Sequence, residues 1–168
     1  VQAPYGYVLD STPVSFDVTE ENSTQEGGIT LIKVDKPNMA QKGTISVEKT
    51  GEVFFGVNVS GEEDKDVIYQ PVYKVKGLAG AVYEITADED VITPDGTLRY
   101  HKGDVVDTVT TDEDGTAKSK ELYLGKYTVV ETKAPTGMVI NKEKHSVELT
   151  YAGQDVAVTE TATSFVNE

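Results

Sequence analysis

Two acidic turns and two histidines are the residues whose types could hold a metal or move a proton. Asp112-Glu-Asp114-Gly115 and Thr93-Pro-Asp-Gly96 gather carboxylates in short turns. Neither has the full ligand spacing and closing Glu of a calcium loop, and hairpin turns account for both. His101 and His145 have no partner at metal-ligand spacing. The chain contains no cysteine, which removes disulfides, thiolate catalysis and Cys-ligated zinc together. No Ser/His/Asp order, glycine-rich phosphate loop or paired-carboxylate motif stands out. No metal and no cofactor are expected.

Charge narrows the partners. Fifteen basic against 29 acidic residues give a formal net charge of −14, spread along the chain. Such a surface repels phosphate backbones and anionic lipid, so neither nucleic acid nor a membrane surface is an expected partner. The acidity serves solubility. No stretch approaches the ~20 apolar residues of a membrane span. The chain begins at Val1 without a signal peptide, as expected of a segment of a longer protein.

The elements that must position any chemistry are strands. Hydrophobic residues make up 38% of the chain, with nine Tyr and no Trp, and Val, Ile and Tyr dominate the apolar runs, which favours strands. Fifteen Gly and six Pro punctuate these runs. Strands are predicted near 14–18, 29–34, 43–49, 67–76, 81–87, 97–100 and 105–110, then at 121–131, 145–151, 155–158 and 162–167. Residues 87–92 could form a single helical turn. The fold class is all-β, with the short strand spacing of a sandwich.

An internal repeat organises the chain. Residues 3–18, APYGYVLDSTPVSFDV, align without gaps to 134–149, APTGMVINKEKHSVEL. The match weakens and then ends on Ile32-Lys33-Val34-Asp35 against Ser164-Phe165-Val166-Asn167. Residues 1–42 therefore read as the C-terminal strands of a preceding repeat plus a linker, and 43–168 as a complete module. The boundary falls in the polar stretch Lys36–Lys42. A tail lacking its own first strands should carry open edges and exposed apolar faces, and should pack on the complete module or pair with another copy.

Four segments carry a family resemblance: Gly43-Thr-Ile-Ser-Val-Glu-Lys49, Leu78-Ala-Gly-Ala-Val-Tyr-Glu-Ile85, Leu124-Gly-Lys-Tyr-Thr-Val-Val-Glu131-Thr-Lys-Ala-Pro-Thr-Gly137 and Ser164-Phe-Val-Asn167. Together they resemble the collagen-adhesin B-type (SpaA-like, prealbumin-like) repeats of Gram-positive pilins and adhesins. The resemblance covers essentially all of 43–168 and implies an immunoglobulin-like or transthyretin-like β-sandwich. It also implies an intramolecular isopeptide bond, with Lys49 as nucleophile, Asn167 as acceptor and Glu131 as the proton-shuttling acid. The family often has Tyr after the Ala-Pro-x-Gly; here the residue is Met138.

The implied chemistry is physically coherent. An amine attacks a carboxamide only when neutral, and burial between sheets disfavours the charged form of a lysine. A carboxyl can polarise the Asn167 carbonyl and hand a proton to departing ammonia. Folding holds the groups at attack distance, which replaces an active-site machine. Closing a loop of about 100 residues would stabilise the module by roughly 4–5 kcal/mol, without a reducible bond. Lys33 is a competing nucleophile, because Ile-Thr-Leu-Ile-Lys-Val-Asp also reads as a first strand. Asp35, opposite Asn167 in the repeat, is the expected acceptor for a preceding module and should be unbonded here.

The expected function is a non-enzymatic stalk or spacer of an extracellular, cell-wall-anchored protein, with neighbouring repeats of the same chain as partners. The alternative is an adhesin module binding a host extracellular-matrix protein or glycan through the insertion at 52–76 or the loop at 88–104. Tyr69, Tyr73 and Tyr100 would then cluster on one exposed face. A third reading is an accessory β-domain of a secreted carbohydrate enzyme.

Overall fold

A computed structural model of the chain describes residues 2–62 and 65–167. Four short strands come first: β1 (Tyr7–Val8), β2 (Thr24–Glu26), β3 (Ile29–Leu31) and β4 (Met39–Ala40). Two long ones follow, β5 (Lys42–Glu62) and β6 (Lys65–Gly77). Then come β7 (Val82–Ala87), β8 (Val91–Ile92), β9 (Leu98–Tyr100), β10 (Val105–Thr110) and β11 (Thr116–Lys118). The last are β12 (Leu122–Tyr123), β13 (Gly125–Lys133), β14 (Lys144–Leu149) and β15 (Val158–Asn167). No helix occurs among the described residues, so the helical turn allowed at 87–92 is absent there.

Two sheets face each other in an all-β, prealbumin-like sandwich. One is antiparallel, in the order β10-β7-β13-β14. The other is built around β5, which pairs with β11, β12 and β6 antiparallel and with β15 parallel. Strict alternation explains the core. β7 turns Tyr83, Ile85 and Ala87 inward, and β13 turns Tyr127, Val129 and Glu131 inward. From the other sheet β5 contributes Ile45 and Val47, and β15 contributes Phe165. Each fully buried side chain of this size stabilises by about 1.5–3 kcal/mol.

Several sequence expectations need correction. Residues 14–18 form no strand; Val14, Phe16 and Val18 are exposed, because no partner strand lies beside them and an isolated strand is unstable in water. The expected strand at 155–158 is instead mostly a turn, in which Val156 N–H donates to Gly153 O at 3.3 Å. The run 121–131 is broken into β12 and β13. The insertion at 52–76 is a continuation: β5 extends well past Lys49 and returns as β6, giving a ribbon in which Phe54 opposes Tyr73 and Val59 opposes Tyr69.

Residues 2–10 pack on the loop between β14 and β15. Ala3 N–H donates to Gln154 Oε1 at 2.8 Å, Leu9 N–H donates to Gln154 O at 2.9 Å, and the Tyr5 ring lies 4.6 Å from that of Tyr151. Of the two placements expected for the tail, this stretch packs on residues 151–154 of the same chain.

Ile85→Ala should lower the unfolding free energy by about 2–5 kcal/mol, as a cavity in a closed core does. Val105→Ala, exposed on the edge strand β10, should change it by less than about 0.5 kcal/mol. Urea titrations of the two variants measure the contrast; equal shifts would contradict the shared core.

Candidate functional site

Three strands from two sheets deliver Lys49, Glu131 and Asn167 to one point in the core. Lys49 lies on β5 on the same inward face as Ile45 and Val47, and Glu131 follows Tyr127 and Val129 on β13. Asn167 follows Phe165 on β15. The parallel register sets Phe165 opposite Lys49 and Asn167 opposite Gly51. All three polar residues are buried: Lys49 is 0% exposed, and Glu131 and Asn167 are 2% each.

The side chains touch one another. Lys49 Nζ donates to Asn167 Oδ1 and lies 3.1 Å from Glu131 Oε1. Asn167 Nδ2 lies 3.4 Å from Glu131 Oε1 and 3.3 Å from Oε2. The carboxamide therefore presents its oxygen to the amine and its nitrogen to the carboxyl. Burial pushes the Lys49 ammonium below its ordinary value, and the hydrogen bond and charge of Glu131 only partly offset this.

The surroundings hold this geometry. Lys49 N–H donates to Gly115 O at 2.7 Å, and Lys49 O accepts from Leu78 N–H at 2.9 Å. Gly77 and Gly115 permit that clamp: a Cβ on Gly77 would fall 1.9 Å from Asp114 O, and one on Gly115 would fall 2.3 Å from Lys49 O. Aromatic rings close the site. Phe165 lies 4.8 Å from Tyr83, centroid to centroid, and His145 stacks on its ring at 3.9 Å. Burial and the neighbouring Glu131 push the Tyr83 phenol well above its ordinary value, so it stays protonated, and its hydroxyl donates to Glu131 Oε1 at 3.4 Å.

Two contacts to Glu131 were not singled out from the sequence. Tyr83 stands inside the Leu-Ala-Gly-Ala-Val-Tyr motif, which was itself the available signal. Asn141 donates its backbone N–H to Glu131 Oε2 at 2.6 Å, and its side chain reaches Val166 O at 3.2 Å. Its alignment with Asp10 marks the position, but a backbone contact leaves no mark in residue type.

The other candidates lie elsewhere. Lys33 and Asp35 pair with each other at 3.2 Å on the surface, with the Lys33 side chain 84% exposed. That amine lacks the burial that distinguishes Lys49. Among the described residues no cluster of His, Cys, Asp or Glu could hold a metal ion. Asp112 instead caps its own turn, accepting from the N–H groups of Asp114 and Thr116. Tyr69 and Tyr73 are exposed on the β5–β6 ribbon, whereas Tyr100 is half-buried against Tyr123 and Tyr127. The three tyrosines do not form one face.

Comparison with known proteins agrees with the architecture. Residues 71–163 match the SpaA family, described as a prealbumin-like fold domain. Among solved structures, the full-length major pilin SpaD of Corynebacterium diphtheriae is 24% identical with a TM-score of 0.46. The match covers 76% of this chain and 32% of SpaD. BcpA, the major pilin subunit of Bacillus cereus, is 22% identical with a TM-score of 0.39, over 74% of this chain and 28% of BcpA. GBS52, the minor pilin of Streptococcus agalactiae, is 18% identical with a TM-score of 0.43, over 92% of this chain and 56% of GBS52. The chain thus spans less than two thirds of each of these proteins. No curated protein matches it. With more than half of its residues inside the matched segment, the chain belongs to the SpaA prealbumin-like domain family.

Proposed function

We propose that the chain is a stalk or spacer segment of an extracellular, cell-wall-anchored surface protein or pilin, cross-linked by a Lys49–Asn167 isopeptide bond that it makes itself. The observation that carries this reading is an amine without exposure to water, held between a carboxamide and a carboxyl. Family membership supports the structural role, and the matched residues 71–163 lie wholly inside 43–168. Residues 43–168 are the complete module, and 1–42 are the closing strands and linker of a preceding one.

The reaction balances without a co-reactant. Neutral Lys49 Nζ attacks Asn167 Cγ, forming a C–N bond. Glu131 takes a proton from the attacking nitrogen and delivers it to Asn167 Nδ2. The Cγ–Nδ2 bond breaks and ammonia leaves, so an amine and a primary amide become a secondary amide plus ammonia. Each molecule turns over once, on itself, with no external substrate.

The product suits a stalk. β5 and β15 run parallel side by side, so tension entering at Lys42 and leaving at Asn167 would pass through the bond. Residues 50–166 would carry no load. A closed loop spanning 118 residues stabilises by roughly 5 kcal/mol.

Intact mass under denaturing conditions tests the chemistry. The parent chain should be lighter than its sequence by one ammonia, and Lys49→Ala and Glu131→Ala should both show full mass. A parent at full mass would sink the cross-link. A deficit that survives Lys49→Ala would move the bond to another lysine, with Lys33 the first to substitute. In reversible guanidinium unfolding, Asn167→Ala should lose at least roughly 5 kcal/mol relative to the parent.

A second reading has one observation in its favour. Phe54, Val57, Val59, Tyr69 and Tyr73 are all exposed on the ribbon, and their pairings set them on one face. An exposed apolar face of this kind marks interaction sites, here for a host matrix protein or glycan. Phe54→Ser with Tyr73→Ser should abolish binding in a screen of such ligands while leaving the ammonia deficit intact. Equal binding by parent and variant would remove this reading.

A further inference from the structure

The repeated sequence folds twice into the same short structure. Gly6 and Gly137 both have φ of +84°. Tyr7 N–H donates to Pro4 O at 3.2 Å, and Met138 N–H donates to Pro135 O at 3.1 Å. Asp10 Oδ1 accepts from Thr12 N–H at 2.9 Å, and Asn141 Oδ1 accepts from Glu143 N–H at 2.9 Å. Positive φ at the glycine and a short polar cap two residues before a free amide are what this turn requires.

The two copies differ in what covers them. The first is seated: Gln154 accepts from Ala3 and Leu9 N–H, Gly6 O accepts from Gln41 N–H at 2.8 Å, and a Cβ on Gly6 would fall 2.6 Å from Pro94 Cγ. Val8 pairs with Met39 as a strand. The second copy has no such socket: Pro135 is buried and Ala134, Met138 and Ile140 are half-buried, but Thr136, Gly137 and Val139 are exposed. Nothing among the described residues lies within 4 Å of a Cβ on Gly137, and Val139 is exposed. Ala134 and Ile140, the counterparts of Ala3 and Leu9, donate no backbone N–H to a described residue.

We propose that the turn Ala134–Ile140 is a plug that seats in the β14–β15 loop of another module of this kind, as 3–9 seat in the loop here. The proposal rests on the modular reading given above, and the partner is identified by chemistry already in view. It is a sandwich end that offers a glutamine side chain and carbonyl to two amides, with a proline beneath the glycine. Plug and socket lie at opposite ends of the sandwich. Asn141 ties the second turn to Val166, at the Asn167 end of β15; the socket adjoins Gln41, at the start of β5, where Gln41 Nε2 donates to Gly153 O at 2.9 Å. Opposite ends are what head-to-tail stacking of repeats needs. Thr136 replaces Tyr5, so the second turn lacks the ring that meets Tyr151 and relies on the backbone bonds.

A tandem protein in which residues 36–168 follow Asn167 of this chain tests the proposal by amide hydrogen exchange. Exchange at Ile85 and Val129 of the second copy reports whether it folds as a module. In the single chain, Ala3 and Leu9 should be protected and Ala134 and Ile140 should exchange freely. In the tandem, Ala134 and Ile140 of the first copy should slow by at least about tenfold, and Gln154→Ala in the second copy alone should undo it at Ala134, the counterpart of the amide held by that side chain. A protected second core with freely exchanging Ala134 and Ile140 overturns the plug and leaves the modular reading standing. An unprotected second core overturns both. The single chain gives a check that needs no tandem: Gln154→Ala should speed exchange at Ala3, whose acceptor is the Gln154 side chain, and unchanged protection there refutes the socket chemistry.

Discussion

The parallel pairing of β15 with β5 is the constraint on which the rest depends. Parallel neighbours cannot be joined by a tight turn, and here everything between Lys49 and Asn167 forms the connection. That connection supplies the whole antiparallel sheet and three further partners for β5. Register follows from the pairing. A slip of one residue would send Phe165 and Asn167 to the outer face together, emptying the core beside Tyr83 and separating the carboxamide from the amine.

Electrostatics makes the interior of this module unusual. An ammonium and a carboxylate taken out of water together are not repaid by their mutual attraction unless every remaining hydrogen bond is met. Glu131 meets its share through Tyr83, Asn167 and the Asn141 amide. Among the described residues, the Lys49 ammonium has only Asn167 and Glu131 as polar partners. Conversion to an amide removes the charge from the lysine altogether and leaves a neutral, hydrogen-bonding group in its place. A site that is costly as an ion pair becomes ordinary core once the proposed bond is present.

The strands were legible in the sequence from their alternation, and Lys49, Glu131 and Asn167 from the family resemblance; the structure adds the geometric reason these three meet. Period-two alternation sets Lys49 in line with Ile45 and Val47, Glu131 with Tyr127 and Val129, and Asn167 with Phe165. Polar residues continuing an apolar face are conspicuous once the strands are in place. Other features left weaker traces. The ribbon reads as an insertion because it separates the Lys49 strand from the Leu78 motif; in the structure Gly51 is buried against Leu78 and Asn167, and Gly56 lies at a bulge. Val14, Phe16 and Val18 alternate like a strand, yet alternation cannot show that the partner strands are missing. The Asn141 amide reaches Glu131 through loop geometry, which residue types do not encode.

The position of Asn167 on the closing strand has a consequence for biosynthesis. A ribosome delivers Lys49 more than a hundred residues before Asn167, so for most of the time the module is being made its nucleophile has no acceptor. The bond proposed here cannot lock a half-made or mispaired intermediate, because its last component arrives with the strand that closes the sandwich. Released ammonia would then act as a receipt for a finished module, and a chain truncated before Asn167 would remain an open, unfastened polypeptide, distinguishable from its complete siblings by any protease that meets it.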